Sequence, residues 1–148
     1  KVKINDTICK VYGVGIEGYK YKKGLTINAQ NSGTLGRLIS GLLVNSPFPI
    51  KITGDKSLSK RDFWRIAKPL GKFGARLKLK NNYNLPLTIT GSNNLKPIHY
   101  IEKKGSAQVK SSIIFAGART NGKTFIKAKK SRDHTELLFK HLNLPIKD

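Results

Sequence analysis

The chain has 148 residues and a hydrophobic content of 38%, which suits one compact domain with its own core. Its only cysteine, Cys9, excludes an intramolecular disulfide and favours a reducing compartment, so we expect a cytoplasmic protein. No apolar run approaches the roughly 20 residues that a membrane-spanning helix needs, and residues 1–13 lack the apolar region of a signal peptide.

The net charge of +21 arises from 29 basic and 8 acidic residues. A field of this sign attracts anions, which include nucleic acids, acidic membrane surfaces and small phosphorylated substrates. However, the lysines are spread along the whole chain, and abundant Lys, Asn and Ile are also typical of proteins from AT-rich genomes. Charge alone therefore does not decide which anion is bound.

The first part of the chain alternates strand patterns with helix patterns. In chain order we predict strands at 1–5, 7–13 and 24–30, a helix at 32–45, a strand at 47–54, a helix at 59–75 and a hairpin of 76–80 with 85–91. The helical faces are formed by Leu35, Leu38, Ile39 and Leu42 in the first helix and by Phe63, Ile66, Ala67 and Leu70 in the second. Pro69 should bend the second helix, because it removes the hydrogen bond to the Arg65 carbonyl.

The order of patterns then begins again. We predict a strand at 96–105, a helix at 106–120, a strand at 123–130 and a helix at 131–143. The repeat of about 70 residues predicts an α/β (α+β) fold of β-α-β-α-β-β units at 24–92 and 96–148, with 1–23 as the closing hairpin of an earlier unit. Since the last unit stops after its second helix, we expect a single partial domain.

Four helix starts carry residues suited to an anion: "NSGT", "SKRD", "GSAQ" and "SRDH". In βαβ units such starts gather at one sheet edge, and each has unpaired N–H groups and about half a positive charge. Ser, Asn and Asp are also ordinary N-cap residues, worth about 1 kcal/mol in that role alone. The four starts together, two with an arginine nearby, favour a shared anion site.

Two residues near the first pair of starts have both a functional and a structural interpretation. Gly33 lets a ligand approach the backbone, or it serves only a tight turn. Arg61 grips a carboxylate or phosphate with its planar fork, or it forms a salt bridge with Asp55 or Asp62.

Two residues of the second pair are open in the same way. Gln108 donates and accepts toward a polyhydroxylated ring, or it is a solvated helix position. His134 forms a hydrogen bond with a ligand, or it is structural.

The sequence gives no clear sign of a metal or nucleotide site. Its three histidines and one cysteine lack the spacing of metal ligands, which argues against a metal site. Residues 117–124, "GARTNGKT", have the spacing of a Walker loop but lie between a predicted helix and a predicted strand, the reverse of that loop's strand-to-helix setting. The segment "GVGIEG" at 13–18 is a weak signal.

Four segments resemble motifs of the enolpyruvyl transferases, specifically of the 5-enolpyruvylshikimate-3-phosphate synthase family. They are "NSGTLGRLISGLL" (compare N-[AS]-G-T-x-x-R-L), "TGDKSLSKRDF" (G-[DE]-x-S-L-x-x-R-P), "GSAQVKSSIIFAGA" (S-A-Q-V-K-S-A-[IL]-L-L-A-G-L) and "SRDHTELLF" (S-R-D-H-T-E-x-[ML]-L). They follow the family's order and spacing and cover nearly the whole chain. The third and fourth suit the glyphosate-tolerant branch.

The resemblance implies a reaction of the shikimate pathway of aromatic amino acid biosynthesis. The 5-hydroxyl of shikimate 3-phosphate adds to C2 of phosphoenolpyruvate, and the tetrahedral intermediate loses phosphate without any cofactor. The family's lysine-bearing "P-G-[DS]-K-S" segment and its second domain, which supplies the acid–base carboxylates, are not in this chain. We therefore expect no catalytic residue here, and a chain that is inactive without that second domain.

Carried over residue by residue, the resemblance assigns two binding sets. For shikimate 3-phosphate it implies Ser106, Ala107, Gln108, Ser131 and Arg132, and for phosphoenolpyruvate Gly33, Arg61 and Gln108. Ser106 would serve the phosphate of the first substrate, and Gln108 would reach both substrates. Asn31 and Arg37 would hold the loop and helix in place.

One position departs from the family pattern. Asp62 stands where the family usually has Pro, and its negative charge beside Arg61 could weaken anion binding. His134 replaces the Tyr of another branch but fits this one.

Two other functions are compatible with the composition. The first is a basic nucleic-acid-binding module built on a similar unit. Such a module needs exposed aromatic residues, whereas Phe63, Trp64 and Phe73 fall at core spacing or alone, which argues against it. The second is a sister enolpyruvyl transferase acting on a nucleotide sugar, which the "SAQVKS" and "SRDHTE" segments disfavour.

Overall fold

The structure, a computed structural model, describes residues 2–15 and 21–147. Its elements in chain order are β1 Val2–Asn5, β2 Ile8–Val11, β3 Thr26–Asn28, α1 Gly33–Leu42, β4 Ile50–Thr53, α2 Trp64–Lys72, β5 Arg76–Lys80, β6 Asn84–Thr90, β7 His99–Glu102, α3 Ala107–Gly117, β8 Phe125–Ala128 and α4 His134–His141. A 3-10 turn at Leu58–Lys60 precedes α2. The weak glycine signal at 13–18 falls partly outside the described residues.

A hairpin of β1 and β2 begins the described chain. The two strands pair antiparallel from Val2 opposite Val11 to Asn5 opposite Ile8, and all their residues are exposed. This hairpin was predicted, while the assignment of residues 1–23 to an earlier unit stays a prediction.

The central sheet has four strands in the order β3-β4-β6-β5. Strands β3 and β4 are parallel with α1 between them in the chain, whereas β6 pairs antiparallel with both β4 and β5. The order of elements from β3 to β6 is therefore β-α-β-α-β-β, which confirms the predicted unit.

The second unit repeats the first four elements of this order. Its strands β7 and β8 pair parallel, from His99 opposite Phe125 to Glu102 opposite Ala128, with α3 between them and α4 after them. Helix α3 packs against both α1 and α2, and α4 packs against α3. The helices thus bring the two units together.

Most predicted core positions are buried, because their spacing places them on one face of a strand or helix. Alternation along the strands buries Ile50 and Ile52 on β4 and Leu85, Leu87 and Ile89 on β6. The predicted faces of α2 and α3 are buried too: Phe63, Ile66, Ala67 and Leu70, and Val109, Ser112, Ile113 and Ala116.

Helix α1 differs from the prediction. Its buried residues are the small ones, Gly33, Gly36, Ser40 and Gly41, whereas Leu35 of the predicted apolar face is 42% exposed. The reason is a close helix crossing, because a Cβ at Gly41 would lie 2.2 Å from the Ser112 carbonyl oxygen of α3. A leucine face could not approach this closely.

Helix α2 also begins later than its pattern predicted. Arg61 has extended backbone (φ −77°, ψ 153°), so an irregular link separates the 3-10 turn from the helix at Trp64. The helix then continues through Pro69 to Lys72.

In the part of the chain that the structure describes, no helix has the length and apolarity to cross a membrane.

Candidate functional site

The start of α1 places a glycine beside two guanidinium groups. Ser32 caps the helix, since its Oγ accepts a hydrogen bond from the Leu35 N–H (3.1 Å). A Cβ at Gly33 would lie 3.2 Å from Arg37 Nη1 and 3.4 Å from Arg61 Nη1. Gly33 therefore leaves room for two cationic side chains at this helix start.

Arg61 is held by the extended link before α2. Its Nη2 donates to Asn31 Oδ1 (3.2 Å), and its main-chain carbonyl accepts from Asn84 Nδ2 (3.3 Å). Together with Lys56, Ser57 and Lys60, it lines a hollow of about 550 Å³. Three of these four lining residues are cationic, so the hollow suits an anion.

The carboxylates proposed as alternative partners of Arg61 are used elsewhere. Asp55 Oδ1 accepts from the Leu58 N–H (2.7 Å), and Asp62 Oδ1 accepts from the Arg65 N–H (3.3 Å). Among residues 2–15 and 21–147, neither carboxylate forms an ion pair with Arg61. Asp62 instead satisfies a backbone donor in the first turn of α2.

The start of α3 forms a second hollow. Ser106 caps the helix through a hydrogen bond from the Val109 N–H to its Oγ (3.4 Å). The hollow has a volume of about 450 Å³ and is lined by Gly105, Ser106, Ala107, Gln108, Ser131 and Arg132. It brings together all five residues that the sequence assigned to shikimate 3-phosphate.

The residues before α4 reach this hollow without capping their helix. The N-cap of α4 is Asp133, whose side chain makes no capping bond. The Oγ of Ser131 is buried and has no hydrogen-bond partner within the described chain. A buried hydroxyl without a partner is costly, so a ligand oxygen would satisfy it. His134 is exposed at the first position of α4 and does not line the hollow.

Helix α4 is fixed to α3 by two polar contacts. The hydroxyls of Ser111 and Thr135 are 2.7 Å apart, and Lys110 forms a salt bridge with Glu136. These contacts determine where Ser131 lies relative to the start of α3.

Gln108 connects the two units. Its Oε1 accepts from Arg37 Nη1 (2.6 Å), and its Nε2 donates to Thr34 Oγ1 (2.8 Å). Arg37 Nη2 also donates to the carbonyl of Asp62 (3.2 Å), and the guanidinium lies 5.2 Å from the centre of the Phe63 ring. Gln108 is thus not simply solvated, and Arg37 occupies the supporting position expected for it.

The electrostatics of the Arg37 region are strongly positive. Burial lowers the pKa of Arg37, nearby Arg65 and Arg61 lower it further, and Asp62 raises it. Three guanidinium groups therefore act on one region, which favours a negatively charged ligand there.

Two residues of this arrangement were missed from the sequence. Thr34 belongs to a quoted motif, yet its bond to Gln108 joins positions that are distant in the chain. Glu102 accepts a hydrogen bond from the Ser106 N–H (2.8 Å), and the sequence marks it only as an acidic residue in a lysine-rich segment.

Within the described residues, no group of three or more His, Cys, Asp or Glu could hold a metal ion.

The fold is an α/β domain built from a repeated unit, and its two hollows are lined mainly by polar and cationic residues. Residues 1–148 match the family model described as EPSP synthase (3-phosphoshikimate 1-carboxyvinyltransferase). The chain therefore belongs to the EPSP synthase family.

Relatives and solved structures agree with this family. The chain is 44% identical to a 3-phosphoshikimate 1-carboxyvinyltransferase of Endomicrobium trichonymphae, covering 99% of this chain and 34% of the relative. It is 45% identical to that of Ruthia magnifica, covering 95% and 32%. EPSP synthase from Acinetobacter baumannii has a TM-score of 0.90 at 38% identity, covering 99% of this chain and 34% of that structure. The chain thus spans about a third of the length of these proteins.

Proposed function

We propose that this chain forms one substrate-binding face of an enzyme that transfers the enolpyruvyl group of phosphoenolpyruvate to the 5-hydroxyl of shikimate 3-phosphate. The observation that carries this proposal is the hollow at the start of α3, which gathers residues from two separate motifs. Its relatives are named for the same transfer, 3-phosphoshikimate 1-carboxyvinyltransferase.

Shikimate 3-phosphate suits the chemistry of this hollow. The first turn of α3 offers backbone N–H groups without carbonyl partners in the helix, and a phosphate is stabilised at such a start. Ser106 and Arg132 add a hydroxyl and a planar cation, and Ser131 adds a buried hydroxyl in need of a partner. We assign the phosphate to Ser106 and the ring hydroxyls to the amide of Gln108.

Phosphoenolpyruvate suits the neighbouring hollow. Its carboxylate and phosphate match the guanidinium of Arg61, beside which Gly33 leaves space. Arg37 contacts Gln108 of the first hollow and lies near Gly33, beside Arg61 of the second, so its side chain links the two hollows. This arrangement supports a Gln108 that reaches both substrates.

The acid–base chemistry requires groups beyond these two hollows. The chain matches only about a third of its relatives' length, 34% in the case of Endomicrobium trichonymphae. We propose that a second domain of the same enzyme supplies the catalytic carboxylates and closes over the substrates in the cytoplasm. The reaction needs no cofactor, and the 148-residue chain alone should bind but not turn over.

Titration of the 148-residue chain with shikimate 3-phosphate, followed by NMR, tests this proposal. We expect saturable shifts of the backbone amides of residues 105–108, and weaker binding in Arg132→Ala by about ten-fold because a charge-assisted contact is lost. The matched control is Arg76→Ala, an exposed arginine of β5 outside both hollows. Absence of binding, alongside clear binding of an RNA oligonucleotide, would overturn the proposal in favour of a nucleic-acid module.

A further inference from the structure

We infer that Glu102 is a positioning residue for phosphate recognition, acting through the loop that begins α3. It does not line the hollow itself. The inference rests on the proposed function and adds to it the residue that holds the phosphate-binding segment in shape.

The carboxylate of Glu102 is a buried, doubly engaged acceptor. The residue is 5% exposed at the end of β7. Its Oε1 accepts from the Lys104 N–H (3.2 Å) and its Oε2 accepts from the Ser106 N–H (2.8 Å). A buried charge with two backbone donors fixes the intervening turn, because releasing either donor would leave an unsatisfied buried group.

The main chain of Glu102 also reaches the second loop of the hollow. Its carbonyl accepts from the Lys129 N–H (3.2 Å), directly before the segment that carries Ser131. Gly105 has a positive φ of 69°, and a Cβ there would lie 3.4 Å from the Lys130 carbonyl oxygen. The two loops that line the hollow are therefore packed against each other beside Glu102.

This arrangement determines which donors remain for a ligand. Glu102 occupies the Ser106 N–H, and Ser106 Oγ occupies the Val109 N–H. The Ala107 and Gln108 N–H groups have no carbonyl partner within α3, so they remain for an anion. The carboxylate thereby orients a pair of donors toward the phosphate.

A carboxylate near an anion site also has an electrostatic cost, and the surroundings offset it. The flanking lysines, Lys103, Lys104, Lys129 and Lys130, are all exposed. The geometry at position 102 therefore favours a carboxylate, and the four exposed lysines keep the net charge of this region positive.

The experiment compares shikimate 3-phosphate with shikimate, which lacks only the phosphate. NMR titration of the 148-residue chain gives both affinities, and amide hydrogen exchange reports the Lys104 and Ser106 donors. Glu102→Leu removes both acceptors while keeping an apolar body, and Glu102→Gln keeps one acceptor. Asp6→Asn, in the exposed β1–β2 turn, is the control for the loss of one negative charge.

We expect Glu102→Leu to lower the affinity for shikimate 3-phosphate by at least about ten-fold, and Glu102→Gln by about three-fold, since one or two charge-assisted bonds are lost. Shikimate affinity should change less than about two-fold, and exchange of the Ser106 amide should accelerate. Asp6→Asn should change neither affinity.

Other outcomes would overturn the inference separately from the proposed function. Equal losses for both ligands, or no loss in a folded Glu102→Leu variant, would remove the phosphate-positioning role while leaving the substrate site intact. If Glu102→Leu does not fold, Glu102→Gln decides by the same ratio of affinities. If the unsubstituted chain binds neither ligand, the proposed function fails and this inference falls with it.

Discussion

Gln108 shows how one side chain acquires its role from its partners. An amide in the first turn of a helix rotates freely unless both its ends are bonded. Here Arg37 donates to its oxygen and Thr34 accepts from its nitrogen, so the amide orientation is fixed. A fixed amide presents the ligand with one defined donor and acceptor pattern, which reduces the entropy lost on binding.

Replacing Arg37 with Lys should weaken binding of shikimate 3-phosphate by about ten-fold, because an ammonium lacks the planar fork that reaches both Gln108 and the Asp62 carbonyl. NMR titration of the chain measures this effect. Thr34→Val, which leaves the Arg37 bond intact, should cost only about three-fold. A Thr34→Val loss as large as that of Arg37→Lys would show that Arg37 does not dominate the orientation of Gln108.

Asp62 combines a stabilising bond with an unfavourable charge. Asp62→Asn keeps an acceptor for the Arg65 N–H and removes the charge, so affinity for phosphoenolpyruvate should rise about two- to five-fold with little change in stability. Asp62→Ala removes both the acceptor and the charge, and the loss of the acceptor should lower the free energy of unfolding by about 1 kcal/mol. Titration with phosphoenolpyruvate and urea unfolding measure the two effects. Unchanged affinity in both variants would show that the Asp62 charge does not act on the Arg61 hollow.

At the scale of elements, the site depends on how closely α1 and α3 approach. The buried residues of α1 are Gly33, Gly36, Ser40 and Gly41, and of these Gly41 lies against the backbone of α3 at Ser112. Because Gly41 carries no side chain, α1 packs closely on α3, and Arg37 of α1 reaches Gln108 of α3. The crossing of two helices therefore creates the bridge between the hollows.

Gly41→Ala should disrupt this crossing, because its Cβ would lie 2.2 Å from the Ser112 carbonyl oxygen of the facing backbone. We expect a loss of about 2–4 kcal/mol in the free energy of unfolding, from overpacking that the backbone cannot relieve. Urea unfolding followed by circular dichroism measures it.

The matched control is Gly71→Ala, a glycine inside α2 with nothing within 4 Å of an added Cβ. It should stabilise the chain by about 0.5–1 kcal/mol through helix propensity. If both substitutions behaved alike, the close approach of α1 and α3 would not be the source of the effect.

For the whole molecule, the charge of +21 and the defined hollows make different contributions to binding. General attraction of polyanions depends on released counterions and is steeply salt-dependent. Recognition of one small ligand by oriented donors depends on salt far less, because few charges are involved. Of the three aromatic residues weighed above, Phe63 and Phe73 are fully buried and offer no stacking surface for bases, whereas Trp64 is 43% exposed.

Between 50 and 200 mM salt, affinity for shikimate 3-phosphate should fall by no more than about three-fold, since the ligand is small and partly enclosed. Binding of a non-specific oligonucleotide that contacts six or more phosphates should fall by about a thousand-fold or more. Titrations at the two salt concentrations measure both. An equally steep fall for both ligands would indicate that the general charge, and not the hollows, collects the anion.

The sequence predicted the local structure well because each signal lies within a few residues. Period-two alternation identified β4 and β6, and Ser32 and Ser106 were recognisable as helix caps. The repeat and the four motifs predicted the fold and the family, which the comparisons confirm. The unit boundaries at 24–92 and 96–148 and the ligand assigned to each residue stay predictions.

The sequence thus determined the order of elements and the caps of α1 and α3, and its family motifs indicated the residues that line the α3 hollow. Only the tertiary structure decided that Gly41 of α1 meets the backbone of α3, that Gln108 is bonded to Arg37, and that Glu102 accepts from the Ser106 N–H. The physical reason is range. Backbone preferences and caps act over a few residues, whereas a side chain's partners depend on interhelical distances set by the whole packed core.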